Sequence, residues 1–257
     1  MKISLKNWKL KQFQFSIIAV LFIGFFGCSG KIYQVENIEA QRYFISDSIA
    51  ERQDLKNFIL PYKNEMSRAL NRNLAYSPVD LNFEGLNSSM GNFATDLMLE
   101  EGNRIYSLKN PNQKIDIVVM NKGGLRRTFT KGDLNVRSIF ELLPFENEVV
   151  VVTLSGDKVY EMVSFLRNSE ISHPVAGLQF HKNSQDKEFK INGKTFDENR
   201  SYRVLTNDYL QKGGDYMTFF LNPIKVENLN IKLRDMFINH LEKIDTIQIN
   251  TNKRYLE

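Results

Sequence analysis

Apolar residues recur at two spacings along this chain, and segments of the two kinds alternate. A spacing of three to four residues, typical of amphipathic helices, follows Ser88-Ser89, follows Ser155-Gly156-Asp157, and recurs from Leu233 to Ile244. Runs or alternations of β-branched and other apolar residues predict strands at residues 115–120, 149–154, 178–180, 189–191 and 202–205. Helices interleaved with strands predict a single domain of the mixed α/β (α+β) class, with packed helices layered on a mixed sheet.

Proline and glycine mark where these elements end. Asn192-Gly193, between two alternating segments, predicts a tight hairpin turn. Pro144 is expected to end a short helix over residues 137–143, because the residue before a proline avoids the helical conformation. Pro61 is expected to interrupt or restart an earlier helix that carries Leu55 and Ile59.

The N-terminal residues have the pattern of an export signal. Four lysines and no acidic residue precede an apolar run over residues 13–26, which is shorter than the roughly 20 residues of a membrane span. The run is followed by Gly27-Cys28-Ser29, which resembles a bacterial lipoprotein cleavage site, so we expect lipidation of Cys28. The alternatives are an uncleaved anchor helix and a signal peptide with a chance cysteine. The predicted boundaries are a signal peptide at residues 1–27, a tether at 28–46 and the folded domain at 47–257.

This interpretation changes the charge balance and the expected location. Without the four lysines of the leader, 30 of the 34 basic side chains remain against 30 acidic ones, so the domain has no formal net charge. A neutral domain offers no polyanion-binding surface, and we expect no nucleic-acid partner. We expect an exported protein, anchored by its lipid to the bacterial cell envelope on the periplasmic side or the cell surface. Cys28 is the single cysteine, so no internal disulfide is expected.

Signatures of catalysis are missing from the sequence. Its three histidines, His173, His181 and His240, have no His or Asp partner at the spacing that metal ligands require. There is no Gly-x-Ser-x-Gly elbow, no P-loop and no GxGxxG fingerprint. We therefore expect no catalytic residue, no metal site and no cofactor, and we interpret His240 as a core or boundary residue of the last helix.

Two glycine pairs offer binding chemistry instead. Gly123-Gly124 follows the strand at residues 115–120, where positive φ values would let the backbone turn sharply and approach a ligand. Asn121, at the end of that strand, can donate and accept hydrogen bonds, and Arg126 presents a planar fork suited to a phosphate or carboxylate. Phe145 follows a proline that stiffens its backbone.

The second pair, Gly213-Gly214, lies between Tyr209 and Asp215. Tyr209 offers another ring, and Asp215 can accept hydrogen bonds from vicinal hydroxyls such as a ribose diol. A base that stacks on aromatic side chains gains about 1–3 kcal/mol per base. Taken alone, each of these residues is explained as a turn glycine, a core aromatic, a surface cation or a turn acid. Ring, diol acceptor and anion clamp together are the three parts that a nucleotide needs.

In combination, these stretches resemble the C-terminal, substrate-binding domain of the 5′-nucleotidase family, from about Ile59 to the C-terminus. The stretches that carry the resemblance are residues 90–96, 121–126, 143–145, 154–156 and 206–215. The resemblance implies a substrate-binding set of Asn121, Gly123, Gly124, Arg126, Phe145, Tyr209, Gly213, Gly214 and Asp215. Phe145 and Tyr209 would stack on the two faces of a base, and Asp215 would hold the ribose hydroxyls. Asn121 would contact the nucleoside, and Arg126 would engage the phosphate.

The sequence departs from that family's pattern in two places. Relatives often carry an arginine shortly before a Gly-Asn motif, and Gly85-Leu86-Asn87 has no counterpart of it. Tyr216 replaces the glycine that usually follows the final aspartate. Lys122 and Arg127 are the side chains that could compensate for the missing cation at a phosphate.

In that family, an N-terminal metallophosphatase domain supplies two metal ions and the catalytic residues, and we expect no such domain in this chain. The resemblance then implies a substrate-binding subunit in nucleotide catabolism, which works with a separately encoded metallophosphatase that would bind any divalent metal. The alternatives are a lipoprotein that binds nucleosides or nucleotides without hydrolysis, and an envelope domain whose site has decayed. The base preference, the choice among nucleotide, nucleotide sugar and cyclic phosphate, and the oligomeric state stay open.

Overall fold

The computed structural model of this chain describes residues 12–13, 15–17, 35, 37–44, 46 and 49–257. Cys28 and its predicted lipidation, with most of the predicted signal peptide and tether, lie outside the described residues. The chain divides into two units, Met1–Arg52 and Gln53–Glu257. In the first unit, residues 12–13 and 15–17 are helical, and every element named below belongs to the second.

Helices and strands alternate through the second unit. Its helices are α1 (Gln53–Leu70), α2 (Ser89–Lys109), α3 (Val136–Leu142), α4 (Gly156–Asn168), α5 (Asp208–Gln211) and α6 (Leu233–Leu241). Its strands are β1 (Asn73–Ser77), β2 (Ile117–Val119), β3 (Gly132–Asn135), β4 (Glu148–Ser155), β5 (Val175–Ala176), β6 (Leu178–His181), β7 (Phe189–Ile191), β8 (Lys194–Thr195), β9 (Ser201–Asn207), β10 (Lys225–Lys232) and β11 (Tyr255–Leu256). Short 3₁₀ turns lie at Lys122–Gly124, Gly214–Tyr216 and Thr218–Phe220. Among the helices of the described ranges, none has both the length and the apolarity that a membrane crossing requires.

A five-stranded mixed sheet, in the order β10-β4-β9-β2-β5, forms the centre of this unit. β2 and β9 run parallel, and the other neighbouring pairs in the sheet are antiparallel. Two smaller sheets, β1-β3 and β11-β6-β7-β8, accompany it. A mixed sheet with helices packed on it confirms the predicted α+β class.

Alternate side chains of the central strands enter two different cores. Val118 and Val151 point into one core, to which α2, α3 and α6 contribute. Val119 and Val152 point into the other, to which α4, β6 and β7 contribute. Both faces of the sheet are therefore covered, which explains why β2 and β4 are continuous apolar runs rather than alternating ones.

Turn residues have the effects expected of them in two places out of three. The hairpin turn predicted at Asn192-Gly193 joins β7 to β8, and its residues have φ values of 49° and 77°, as a type I′ turn requires. α3 ends at Leu142, shortly before Pro144. The predicted interruption at Pro61 is wrong, because α1 continues through it. None of the residues of α1 is buried, so water can bond the carbonyl that Pro61 leaves without an N–H partner.

Three loop segments reach the same edge of the central sheet. β2 and β9 are parallel, so the residues that follow them, 120–126 and 208–216, leave the sheet on the same side. β4 is antiparallel to β9 and pairs its first residues with the end of that strand. The residues that precede β4, 143–147, therefore arrive at the same edge. The topology brings together segments that are far apart in the sequence.

Candidate functional site

A cavity of about 350 Å³ opens where the three loop segments meet. Its lining residues are Asn121, Gly123, Gly124, Arg126, Phe145, Asn147, Tyr209 and Asp215. The fold thus brings together seven of the nine residues that the family resemblance implies. The other two, Gly213 and Gly214, lie in the turn that leads to Asp215 and do not line the cavity.

Two aromatic rings with free surface line this cavity. Phe145 is 48% exposed and Tyr209 is 45% exposed, so neither is a core residue. Phe145 is placed by the loop between α3 and β4, whereas Tyr209 belongs to α5, directly after β9. Half-exposed rings of this kind offer a flat apolar surface on which a planar ligand can stack.

Asp215 is held by two side chains from different parts of the chain. The Asn121 amide nitrogen Nδ2 donates to Asp215 Oδ2 at 2.6 Å, and the Tyr209 hydroxyl donates to Asp215 Oδ1 at 2.7 Å. The backbone N–H of Asp215 donates to the same hydroxyl at 3.2 Å. The hydrogen bond to the carboxylate raises the pKa of the Tyr209 hydroxyl. Asp215 has a φ of 50°, in the left-handed region, and these bonds hold it in that uncommon conformation.

The Asn121 amide is enclosed between Asp215 and the glycine turn. Asn121 is buried, and its carbonyl oxygen Oδ1 has no hydrogen-bond partner within the described part of the chain. A Cβ atom at position 124 would lie 2.6 Å from that oxygen, so Gly124 leaves the space that the amide occupies. The hydrogen bond of the Asn121 side chain in this structure goes to Asp215, so this side chain supports that carboxylate.

The positive φ values expected at Gly123 and Gly124 are wrong. Both residues lie in the 3₁₀ turn that follows β2, and neither is in the left-handed region. The reason for glycine at position 124 is therefore space rather than backbone freedom. A Cβ at position 123 would have Asn121 Nδ2 as its nearest neighbour, at 3.8 Å, so this position tolerates a side chain.

The second glycine pair combines both reasons for glycine. Gly213 has a φ of 87°, which an L side chain rarely adopts. Gly214 lies against the Tyr209 ring, and a Cβ there would come within 2.5 Å of its ring carbons. The pair therefore shapes the turn that carries Asp215 and packs one side of the Tyr209 ring.

Arg126 is the cation that the cavity lining offers to an anionic group. Its Nη1 donates to the Gly123 carbonyl at 3.2 Å, which keeps the guanidinium beside the glycine turn. The two other cations expected at a phosphate do not line the cavity. Arg127 forms an ion pair with Glu141, and the Lys122 ammonium donates to the Phe83 carbonyl at 3.4 Å.

His173 accepts a hydrogen bond from the backbone of the glycine turn. The backbone N–H of Lys122 donates to His173 Nδ1 at 3.3 Å, a bond that requires this nitrogen to be unprotonated. Burial lowers the pKa of His173, the negative charge of Asp215 opposes this shift, and the charges of Lys182 and Lys122 add to it. The neutral ring that the turn needs is thus favoured near pH 7.

Two residues that the sequence patterns do not single out belong to this site. Asn147 lines the cavity. Its position two residues after Phe145 in the sequence was the feature from which a role in the site could have been predicted. Arg234, in the first turn of α6, is buried and bonds the loop that carries Phe145. Its distance along the chain from that loop leaves no signal in the sequence.

The histidines do not assemble a metal centre in the described residues. No three His, Cys, Asp or Glu side chains lie together there in a way that could hold a metal ion. His240 is buried, and its Nδ1 lies 3.2 Å from Glu101 Oε1. His181 is exposed at the end of β6.

A comparison with known families decides where this chain belongs. The family described as "5′-nucleotidase, C-terminal domain" matches residues 75–222, which is more than half of the chain. The chain is a member of the 5′-nucleotidase C-terminal domain family. The match includes the three loop segments that line the cavity, from Asn121 to Asp215.

Relatives of this 5′-nucleotidase C-terminal domain are longer proteins. The trifunctional nucleotide phosphoesterase protein YfkN of Bacillus subtilis is 25% identical over 221 residues, which cover 78% of this chain and 15% of that protein. The 5′-nucleotidase of Vibrio parahaemolyticus is 25% identical over 218 residues, which cover 82% of this chain and 38% of that protein. The crystal structure of a 5′-nucleotidase precursor from Thermus thermophilus has the same fold, with a TM-score of 0.63 and 23% identity over 79% of this chain and 43% of that one. This chain thus spans less than half the length of each of them.

Proposed function

We propose that this protein binds the nucleoside part of a nucleotide and acts as the substrate-binding subunit of a separate metallophosphatase in nucleotide catabolism. One observation carries the proposal. Two half-exposed rings, Phe145 and Tyr209, line the same cavity as Asp215, a carboxylate that two hydrogen bonds already fix. The names of the relatives, a 5′-nucleotidase and a nucleotide phosphoesterase, support nucleotides as the ligand class.

The cavity has the parts that such a ligand needs. Its volume of about 350 Å³ lies at the lower end of the range of small-molecule sites. The base enters between Phe145 and Tyr209. Each oxygen of Asp215 accepts one hydrogen bond in the free protein and has room for a second, so the carboxylate can accept both hydroxyls of a ribose diol. Arg126 lies on the same lining and is available to a phosphate group.

Hydrolysis of a phosphate ester in this family needs metal ions, and the described residues do not fit such a centre. We therefore derive no hydrolytic step for this chain. In the proposed complex, a metallophosphatase holds the metal ions, and this chain presents the nucleotide to it. A lipid on Cys28, which lies outside the described residues, would keep the subunit at the cell envelope.

Calorimetric titration of the full chain with adenosine and with AMP tests the binding. The wild type is expected to bind, and Phe145→Ala to bind about 5- to 150-fold more weakly, because a stacked base is worth about 1–3 kcal/mol. Phe58→Ala is the matched control, since Phe58 is an exposed phenylalanine of α1 that does not line the cavity. A wild type that binds neither these ligands nor any other common nucleoside would refute the proposal.

The role as a subunit needs a second experiment. The full chain is used to capture partners from the native envelope, and AMP hydrolysis by a captured metallophosphatase is measured with and without it. Stimulation that is smaller with Phe145→Ala, at AMP concentrations below saturation, is the expected result. If the protein binds nucleosides but captures no partner and stimulates no AMP hydrolysis, the subunit role is refuted. The alternative of a lipoprotein that binds without hydrolysis would then be supported. A Cys28→Ser variant is expected to leave the membrane fraction if the lipid is the anchor.

A further inference from the structure

The Phe145 side chain is only partly packed against its neighbours. Nearly half of the side chain is exposed, so its neighbours cover only part of it. Partial packing leaves the ring a free surface, so the conformation of the loop that carries it, residues 143–147 between α3 and β4, affects where that surface lies.

The buried guanidinium of Arg234 donates hydrogen bonds to several carbonyls of this loop. Arg234 Nε donates to the Leu143 carbonyl at 3.0 Å, and Nη2 is 3.3 Å from the Pro144 carbonyl and 3.2 Å from that of Phe145. Nη2 also bonds Glu146 Oε1 at 2.7 Å. Four consecutive residues of the loop thus have an oxygen directed at the same side chain.

The guanidinium is itself fixed. Its carbon lies 4.1 Å from the centre of the Phe140 ring, and Arg234 is only 7% exposed. The contacts require several N–H donors in a plane, together with a flat surface that stacks on a ring. A lysine at this position keeps the charge, but its donors lie on one atom and it has no flat face, so it can bond fewer of these oxygens and cannot stack on Phe140.

We propose that Arg234 is the positioning residue of the nucleoside site: its guanidinium fixes the loop so that the Phe145 ring is ready to stack. This inference rests on the proposed function. The alternative is that Arg234 only stabilises the fold, by bonding carbonyls that follow the end of α3. The two explanations differ in whether the effect of Arg234 on binding passes through Phe145.

A second buried arginine provides a matched control. Arg167, on α4, is also nearly inaccessible and bonds backbone carbonyls of another loop, those of His181 at 3.0 Å and Glu188 at 3.5 Å. Its guanidinium carbon lies 5.9 Å from the centre of the Phe180 ring, a looser contact than that of Arg234 with Phe140. No residue of that loop lines the cavity. Arg167→Lys therefore removes the same kind of clamp at a place where no ligand is expected.

A double-mutant cycle on the full chain tests the inference, with adenosine affinity and thermal unfolding as readouts. Arg234→Lys is expected to bind adenosine about tenfold more weakly, which corresponds to about 1.4 kcal/mol. In the Phe145→Ala background, the same change is expected to have no further effect on affinity. Arg167→Lys is expected to lower Tm to a similar extent and to leave affinity unchanged.

Two outcomes would overturn the inference while the proposed function stands. One is wild-type affinity in Arg234→Lys, and the other is an equal loss of affinity with and without the Phe145 ring. A wild type that binds no nucleoside would sink the proposed function and this inference together. Hydrogen exchange of residues 143–147 without ligand should accelerate in Arg234→Lys and not in Arg167→Lys; unchanged exchange would also refute the clamp. If Arg234→Lys does not fold, Phe140→Leu is the milder variant, and it is expected to weaken binding only when Phe145 is present.

Discussion

Gly123 and Gly124 are neighbours in the turn after β2, but exchanging each of them singly for alanine should affect the stability of the protein differently. In Gly124→Ala, the new Cβ would lie 2.6 Å from Asn121 Oδ1, whereas ordinary contacts begin at 3.4 Å. The amide oxygen must therefore move by about 0.8 Å. In Gly123→Ala the nearest atom is 3.8 Å away, and the backbone is not in the left-handed region, so nothing has to move.

The cost of the first change follows from what the Asn121 amide does. Its nitrogen donates to Asp215 at 2.6 Å, and a shift of the amide by that amount away from Asp215 would lengthen the bond to about 3.4 Å, beyond the usual 2.7–3.2 Å. A hydrogen bond to a charged group is worth about 1.5–3 kcal/mol, so the weakened bond and the displaced amide together should lower the free energy of unfolding of Gly124→Ala by about 2 kcal/mol. For a unit of this size, Tm should fall by about 4–8 °C. Adenosine should bind about tenfold more weakly, because Asp215 loses one of its two supports.

Thermal unfolding followed by circular dichroism, and calorimetry with adenosine, measure both effects. In thermal unfolding, Gly123→Ala should keep the free energy of unfolding of the wild type or gain up to about 1 kcal/mol, since alanine restricts the unfolded chain. If Gly124→Ala kept the Tm and the adenosine affinity of the wild type, the contact between the amide and Gly124 would make no energetic contribution. The argument that glycine is required at position 124 for space would then be wrong.

Three further results are expected. Asp215→Asn should bind adenosine about tenfold more weakly and lose less affinity for 2′,3′-dideoxyadenosine in calorimetry, because the diol is the part of the ligand that the carboxylate contacts; an equal loss for both ligands would contradict the diol role. Arg126→Met should weaken AMP binding and spare adenosine, and an equal effect on both would show that Arg126 does not contact the phosphate. Burial lowers the pKa of His173 in the folded protein, so the unfolded chain binds more protons as pH falls through 6.5. Stability should therefore fall below that pH in thermal unfolding, and less steeply in His173→Asn than in His181→Asn, which changes an exposed histidine; parallel pH profiles would count against the buried ring.

The sequence predicts the elements of this fold better than their arrangement. Strands such as β4 and helices such as α4 follow from local apolar spacing, and the structure has them close to the predicted bounds. The parallel pairing of β2 with β9 has no local signal, because residues about 87 positions apart in the sequence meet in it. That pairing determines which loops share an edge. Pro61 shows that a local signal can also mislead. The proline predicts a break, but the helix is exposed and tolerates a proline that a buried helix would not.

The candidate site divides in the same way. Phe145, Tyr209 and Asp215 stand out in the sequence because they lie beside turn residues in a family pattern. The function of Gly124 could not be predicted, since the pattern indicates backbone freedom and only the packing of the Asn121 amide shows that space is the reason. The contact of Arg234 with the loop that carries Phe145 could not be predicted either, because it joins residues 88 positions apart, as between Arg234 and Glu146.

The meeting of three distant loops at one edge of the sheet has a consequence for the order of folding. A folding intermediate that has formed only the elements through β4 contains Asn121 and Phe145 but does not yet include Asp215. Asn121 and Asp215 meet only when β9 has been inserted between β4 and β2. If the protein binds a nucleoside as proposed, the ligand can bind only after the sheet is complete. It is then expected to raise the free energy of unfolding without speeding the early steps of folding.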